Sequence, residues 1–259
     1  MCERVKPMHK GNNPENLAIW RERITESRQR AHQQEDSGHL TAGLFIGFSQ
    51  GYLILAMIDY YLDESVEVVK AKLELSAQYN LNLWQHKVAG VFRGGDRLFP
   101  FINAKHIAAA LTAGRWDLAE AIARIMDEAR DAGLYREKRS ISYWDAYGWL
   151  IKHLVLEEDE QAVDMANRII NHRRKAKKEH WTPLAQMALA LVQQDTEALE
   201  EHLRAYLAVH DRLVKRGGWW EDADGMMCFP GMAFIVMARK RQVPLDVDSP
   251  YLFLDLLEQ

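Results

Sequence analysis

Apolar residues recur along this chain with helical spacing, and one stretch departs from any one-sided pattern. From Leu40 to Tyr61 (LTAGLFIGFSQGYLILAMIDYY) apolar residues encircle the chain, and no charge appears before Asp59. A helix apolar on all sides has to be surrounded rather than laid on a surface. Its length would allow a membrane span, but Ser49 and Gln50 sit in mid-stretch. The flanks are acidic (Glu35, Asp36, Asp59, Asp63, Glu64) and carry no basic bias to orient a span. The stretch is therefore expected to be the central core helix of a soluble protein. Gly43, Gly47 and Gly51 fall along one edge of it. An interior glycine costs about 1 kcal/mol relative to alanine, so this edge predicts close approach of a neighbouring helix.

The remaining chain reads as helix after helix. Asn13 before Pro14 is a helix start, followed by Leu17, Trp20, Ile24 and Ser27 on one side. Arg21, Arg23, Arg28 and Arg30 crowd the other faces, which are expected to be solvated. Ser37-Gly38 breaks this helix, and Asp63 or Ser65 caps another that carries Val66, Val69, Leu73 and Ala77. Residues 88–100 are irregular. Gly94-Gly95-Asp96 lacks the lysine–serine pair and preceding strand of a phosphate loop, so a connecting loop is expected. A recurring helix–turn–helix unit begins near Ile102, and its turn-following alanines Ala119, Ala162 and Ala198 lie 43 and 36 residues apart. That spacing is near the period of helical-hairpin repeats. The expected fold is all-α: stacked antiparallel helix pairs, solenoid-like and tetratricopeptide-like, around a central apolar helix. One domain covers 1–259, with 1–12 as a flexible N-terminus, hairpin repeats over 102–216, and a C-terminal loop, helix and tail over 217–259.

Composition narrows the function. Apolar residues make up 48% of the 259, enough for a large core, and the net charge of −4 argues against general nucleic-acid affinity. Cys2 and Cys228 make neither a disulfide framework nor a zinc cluster, and the N-terminus lacks an apolar signal region. A cytoplasmic protein is expected, acting without nucleic acid, membrane or cofactor. Ten histidines invite a metal search, but no His-Glu-x-x-His or paired Glu-x-x-His occurs. His172 and His180 bracket a basic run that would repel a cation. The histidines are therefore expected to be solvated or at the core edge, with no metal and no catalytic residues. Glu157, Glu158, Asp159 and Glu160 fit helix-start chemistry, because acids favour a helix N-terminus. They also form an acidic patch that a partner could use.

The C-terminal segment carries the most functional information. After Gly217-Gly218, a loop combines Trp219, Trp220, Glu221, Asp222 and Asp224. Tryptophan is enriched at binding hot spots, so this loop is the first candidate partner surface, with Glu157–Glu160 the second. A plug on the end of the helix stack is the structural alternative. Then comes Met232-Ala-Phe-Ile-Val-Met-Ala-Arg, followed by Val247-Asp-Ser-Pro-Tyr-Leu252 and the pair Leu256-Leu257. This ending resembles that of the immunity protein 49 family over about the last thirty residues. It departs at Phe253, where the family pattern leads one to expect proline. The resemblance implies a mostly helical bacterial protein that neutralises a cognate toxin of interbacterial competition by binding it. It implies no catalytic or fixed binding residues. Two alternatives remain open: a helical-repeat adaptor for a protein or peptide, and an all-helical enzyme with an unidentified buried site.

Overall fold

A computed structural model describes residues 13–38, 40–92, 100–135, 142–171, 178–216 and 223–258. Helices are the only regular secondary structure among them, as the apolar spacing predicts. Asn13 caps α1 (Pro14–Asp36) by accepting the Asn16 amide at 2.8 Å, with Pro14 in the first turn. Thr41 caps α2 (Ala42–Tyr61) and Ser65 caps α3 (Val66–Val88). Asp63, the other candidate cap, sits in the preceding turn with φ 59°. Then follow α4 (Pro100–Thr112), α5 (Trp116–Asp131), α6 (Tyr143–Val155), α7 (Asp159–Ile170), α8 (Lys178–Gln193) and α9 (Thr196–Lys215). The chain closes with short α10 (Ala223–Met226), α11 (Phe229–Lys240) and a 3-10 turn at Leu254–Leu257.

The three hairpins α4/α5, α6/α7 and α8/α9 turn in the same way. Each preceding helix stops at a left-handed residue: Gly114 at φ 80°, Glu157 at φ 57° and Gln194 at φ 55°. The next amide then donates back to a carbonyl one turn earlier, Arg115 to Ala110, Glu158 to His153 and Asp195 to Ala190, each at 2.9 Å. Those bonds satisfy the end carbonyls of each helix. Ala119 and Ala162 are fully buried just past the turn, where a larger side chain would hold the paired helices apart.

The helices pack largely in chain order, with α2 between α1 and α3. Helix α4 touches α3, α5, α6 and α11, and its Ala104, Ala108, Ala109 and Ala110 are fully buried. The last helix, α11, crosses back over α4, with lesser contacts to α8 and α9, so the buried side chains form one apolar core. Its approach is fixed by the tail: the Cys228 amide donates to the Tyr251 carbonyl at 3.0 Å, and Phe253 stacks on Tyr60 at 3.6 Å.

Among the described residues, α2 is the one helix long and apolar enough to cross a membrane. Here it is a packed helix, with Phe48, Met57 and Ile58 wholly buried. Its one charge, Asp59, is also fully buried. The carboxylate lies 2.9 Å from Arg21 Nε of α1 and against Lys72 Nζ of α3, in charge pairs rather than aligned hydrogen bonds. Arg21 also reaches Glu64 at 2.7 Å.

The glycine edge of α2 does not receive a helix backbone, which corrects the sequence expectation. It receives the Arg28 side chain: a methyl group on Gly51 would sit 2.7 Å from Arg28 Nε, and one on Gly47 3.4 Å from Nη1. Arg28 therefore continues the inward stripe of Leu17, Trp20 and Ile24 instead of facing solvent with Arg23 and Arg30. Arg21 too departs from the solvated face expected of it, by reaching the buried Asp59.

The close backbone approach lies elsewhere, between α6 and the start of α4. A methyl group on Gly148 would stand 2.6 Å from the Phe101 backbone nitrogen and closer still to the Pro100 carbonyl. Backbone cannot give way as a flexible side chain can. Gly148→Ala should destabilise the protein by about 1–3 kcal/mol, the range for overpacking a close contact. Urea unfolding checks this, and an unchanged midpoint would show that α4 and α6 are not locked at this distance.

Candidate functional site

Of the residues singled out as a partner surface, Trp219, Trp220, Glu221 and Asp222 lie outside the described residues. Asp224 falls in α10, and its side chain lies outside them too. The acidic turn Glu157–Glu160 is described, and most of its charge is used within the chain. Glu157 pairs with Lys240 at 3.4 Å, Glu158 with Lys152 at 2.7 Å, and Asp159 with both terminal nitrogens of Arg241 at 2.6 and 3.1 Å. Glu160 is exposed in the first turn of α7, where its charge favours the helix start.

The cations of these pairs come from two places. Lys240 and Arg241 lie at the end of α11, and Lys240 Nζ also sits 3.6 Å from the Trp116 ring centre, a cation–π contact. Lys152 comes from α6, is only 2% exposed, and is held between Glu158 and Asp127, the latter at 2.8 Å. A buried ammonium needs such partners, since an unpaired one is expensive in an apolar medium. His153 Nδ1 adds a contact to Glu158 at 2.6 Å. Partial burial would raise the Glu158 carboxyl, but hydrogen bonds from Lys152 and His153 outweigh it and hold the group below its usual range. Burial also pulls His153 down, against the pull of Glu158. The cluster is an electrostatic clasp between α5, α6, α7 and α11.

A second polar group lies on α1–α3. Glu35 accepts from His32 Nδ1 at 3.1 Å and from the Tyr79 hydroxyl at 3.3 Å. That contact fixes the tautomer of His32, whose Nε2 then accepts the Tyr52 hydroxyl at 2.8 Å. Sequence spacing nominated no acid–histidine pair; here one forms three residues apart on α1, recognisable only once Tyr52 and Tyr79 are in place. It does not activate a nucleophile. Desolvation raises both tyrosines, with Glu35 adding to the effect, and keeps them as phenols at neutral pH. Phe48 stacks between these rings, 4.5 Å from Tyr79 and 4.4 Å from His32.

A third group centres on a buried histidine. His106 is fully buried in α4, deeper than the solvated or core-edge position expected of the histidines. The Ser76 hydroxyl donates to the Ser49 carbonyl at 2.7 Å, so it must accept from His106 Nδ1 at 3.0 Å. The imidazole therefore cannot act as base toward Ser76, and the serine is no nucleophile. Its Nε2 faces the Gln50 amide at 3.4 Å. Gln50 and Ser49, the polar interruption of the apolar stretch, thus serve to hold a histidine of α4. Nearby, Trp84 Nε1 donates to Asn103 at 2.5 Å, and Asn103 donates to Tyr135 at 3.3 Å.

Among the described residues, no group of three or more His, Cys, Asp or Glu side chains is placed to hold a metal ion. Two surface cavities stand out. One of about 430 Å³ is lined by Ile235 and Arg239 of α11 and by the tail at Val243, Leu245, Val247 and Leu254. The other, about 470 Å³, lies between α3 and α5 beside Leu81, Val88, Ala121 and Ile125. Comparison with protein-family models, curated proteins and solved structures finds no match for this chain.

The buried histidine has a pH consequence. Burial pushes His106 down to about 3, whereas an unfolded histidine titrates near 6.5. Between those values the unfolded chain binds the extra proton, so stability is full above about pH 6.5 and falls as pH drops toward 3. His106→Gln should flatten the loss of stability over that window by up to one proton, with part of the slope kept by His153. Urea unfolding of both proteins across the acid range measures this. Parallel curves would show that His106 does not stay neutral in the fold.

Proposed function

We propose that this chain binds and neutralises a cognate bacterial toxin encoded by its own genome. The observation that carries the reading is the ending from Met232 to Leu257, which resembles that of the immunity protein 49 family. No family model matches the chain, so the resemblance rests on that ending alone. Consistent with it, the resembling residues belong to the scaffold: Met232, Phe234, Tyr251 and Leu252 are buried. They would maintain a shape and leave recognition to other segments. Polar groups spent on one another, at Lys152–Glu158 and Ser76–His106, also suit a protein that acts by binding.

The loop with Trp219, Trp220, Glu221, Asp222 and Asp224 is the proposed contact surface. Internal ion pairs occupy Glu157, Glu158 and Asp159, which ranks the acidic turn below the loop. A toxin that acts on nucleic acid presents positive charge, and an acidic loop would speed its capture at low salt. The second reading, a helical-repeat adaptor, is favoured by the three alike turns at Gly114, Glu157 and Gln194.

Co-expression with the adjacent toxin gene in a sensitive cell separates the two. Neutralisation predicts survival with this chain and death without it, with the protein recovered in the soluble fraction bound to the toxin. Binding of a partner without protection would support the adaptor, and no protection with no complex would exclude neutralisation.

A further inference from the structure

Arg28 is a half-buried cation whose guanidinium makes no ion pair among the described residues. Its side chain leaves α1 on the inward stripe and lies across Gly47 and Gly51 of α2, with Phe48 under the guanidinium at 5.4 Å. Nε and Nη1 are shielded from solvent and have no hydrogen-bond partner among the described residues. Nη2 has one long contact, 3.5 Å to Ser27 Oγ. Buried polar groups are almost always satisfied, and one that is not calls for an explanation such as an absent ion. The contrast with the rest of the protein is sharp: Asp59 has Arg21 and Lys72, and Lys152 has Glu158 and Asp127.

Among the described residues, no carboxylate pairs with Arg28. Glu35 follows Arg28 by two turns of α1, roughly 10 Å along the axis, and it is engaged by His32 and Tyr79. Two glycines in the middle of α2 keep the groove open, and a side chain at Gly51 would expel the guanidinium from it. We propose that Arg28, with the Ser27 hydroxyl, forms a binding site for a carboxylate on the α1–α2 face.

The donors favour a carboxylate over a phosphate. The Tyr52 and Tyr79 hydroxyls are spent on His32 and Glu35, so only the guanidinium and Ser27 remain to donate. That set matches the two oxygens of a planar monoanion and leaves a tetrahedral dianion short of partners. The charge of Glu35 in the same aromatic cluster also opposes a dianion. The Nη2 edge is the first point of contact, and a small swing of the side chain out of the glycine groove completes the fork. The site stands independently of the toxin-neutralising reading.

Thermal unfolding at constant ionic strength tests it, with sodium acetate replacing sodium chloride and sodium phosphate in a parallel arm. Acetate should raise the melting temperature of the wild type saturably and leave Arg28→Met unmoved. In chloride alone Arg28→Met should melt no lower than the wild type, because it removes a desolvated charge that no described residue pairs. Arg28→Lys keeps the charge without the planar fork, so its half-saturating acetate concentration should rise by about tenfold. An equal acetate response in all three proteins would overturn the site. A large drop in the melting temperature of Arg28→Met in chloride would do the same, by showing a structural role. A phosphate response at lower concentration than acetate, lost in Arg28→Met, would overturn the assignment to carboxylates.

Discussion

One fully buried carboxylate governs how the first third of the molecule assembles. Asp59 lies near the end of a helix whose apolar side chains alone do not choose between partners. The charge does choose. It requires cations, and they arrive from opposite sides, Arg21 on α1 and Lys72 on α3. The arrangement is lopsided energetically. Arg21 and Lys72 are partly exposed and can turn to water if Asp59 is lost, whereas Asp59 has no such escape if they are lost. Burying the pair thus adds more to the choice of neighbours than to net stability.

The same logic recurs at the far end of the chain. Lys152 inside α6 requires acids, and Glu158 and Asp127 meet it from α7 and α5. Arg241 and Lys240 then tie α11 to the same turn. Each cluster ties together helices that also share the apolar core. Lys152, Lys240 and Arg241 consume most of the acidic turn's charge internally, which weakens the second of the two expected partner surfaces. Arg28 breaks the rule, as an inward cation with space made for it and no acid beside it among the described residues.

How much of this was legible in the sequence follows from the range of each interaction. Helix starts rest on neighbours a few residues apart, and Asn13-Pro14 and the three hairpin turns could be read directly. The direction of Arg28 was misread because its charge outweighed its position, four residues after Ile24 on the inward stripe. Gly148 gave no signal at all, since its significance comes from Pro100 and Phe101 on another helix. The glycine edge of α2 was visible, but whether a backbone or a side chain would fill it was not. The acids of Glu157–Glu160 were obvious, whereas their pairing with Arg241 spans more than eighty positions. His32 and Glu35 became a relay only through tyrosines on two other helices.

If the scaffold acts through the segment before α10, the chain and its partner should form a specific complex outside the cell. Titration calorimetry of the purified chain against the purified product of the adjacent toxin gene, inactivated by mutation, measures this most directly. The account predicts a saturable one-to-one complex. Replacing Trp219, Trp220, Glu221 and Asp222 together by alanine should weaken it by about 2 kcal/mol or more without lowering the melting temperature. A folded wild-type chain that gives no saturable binding to that partner would contradict it.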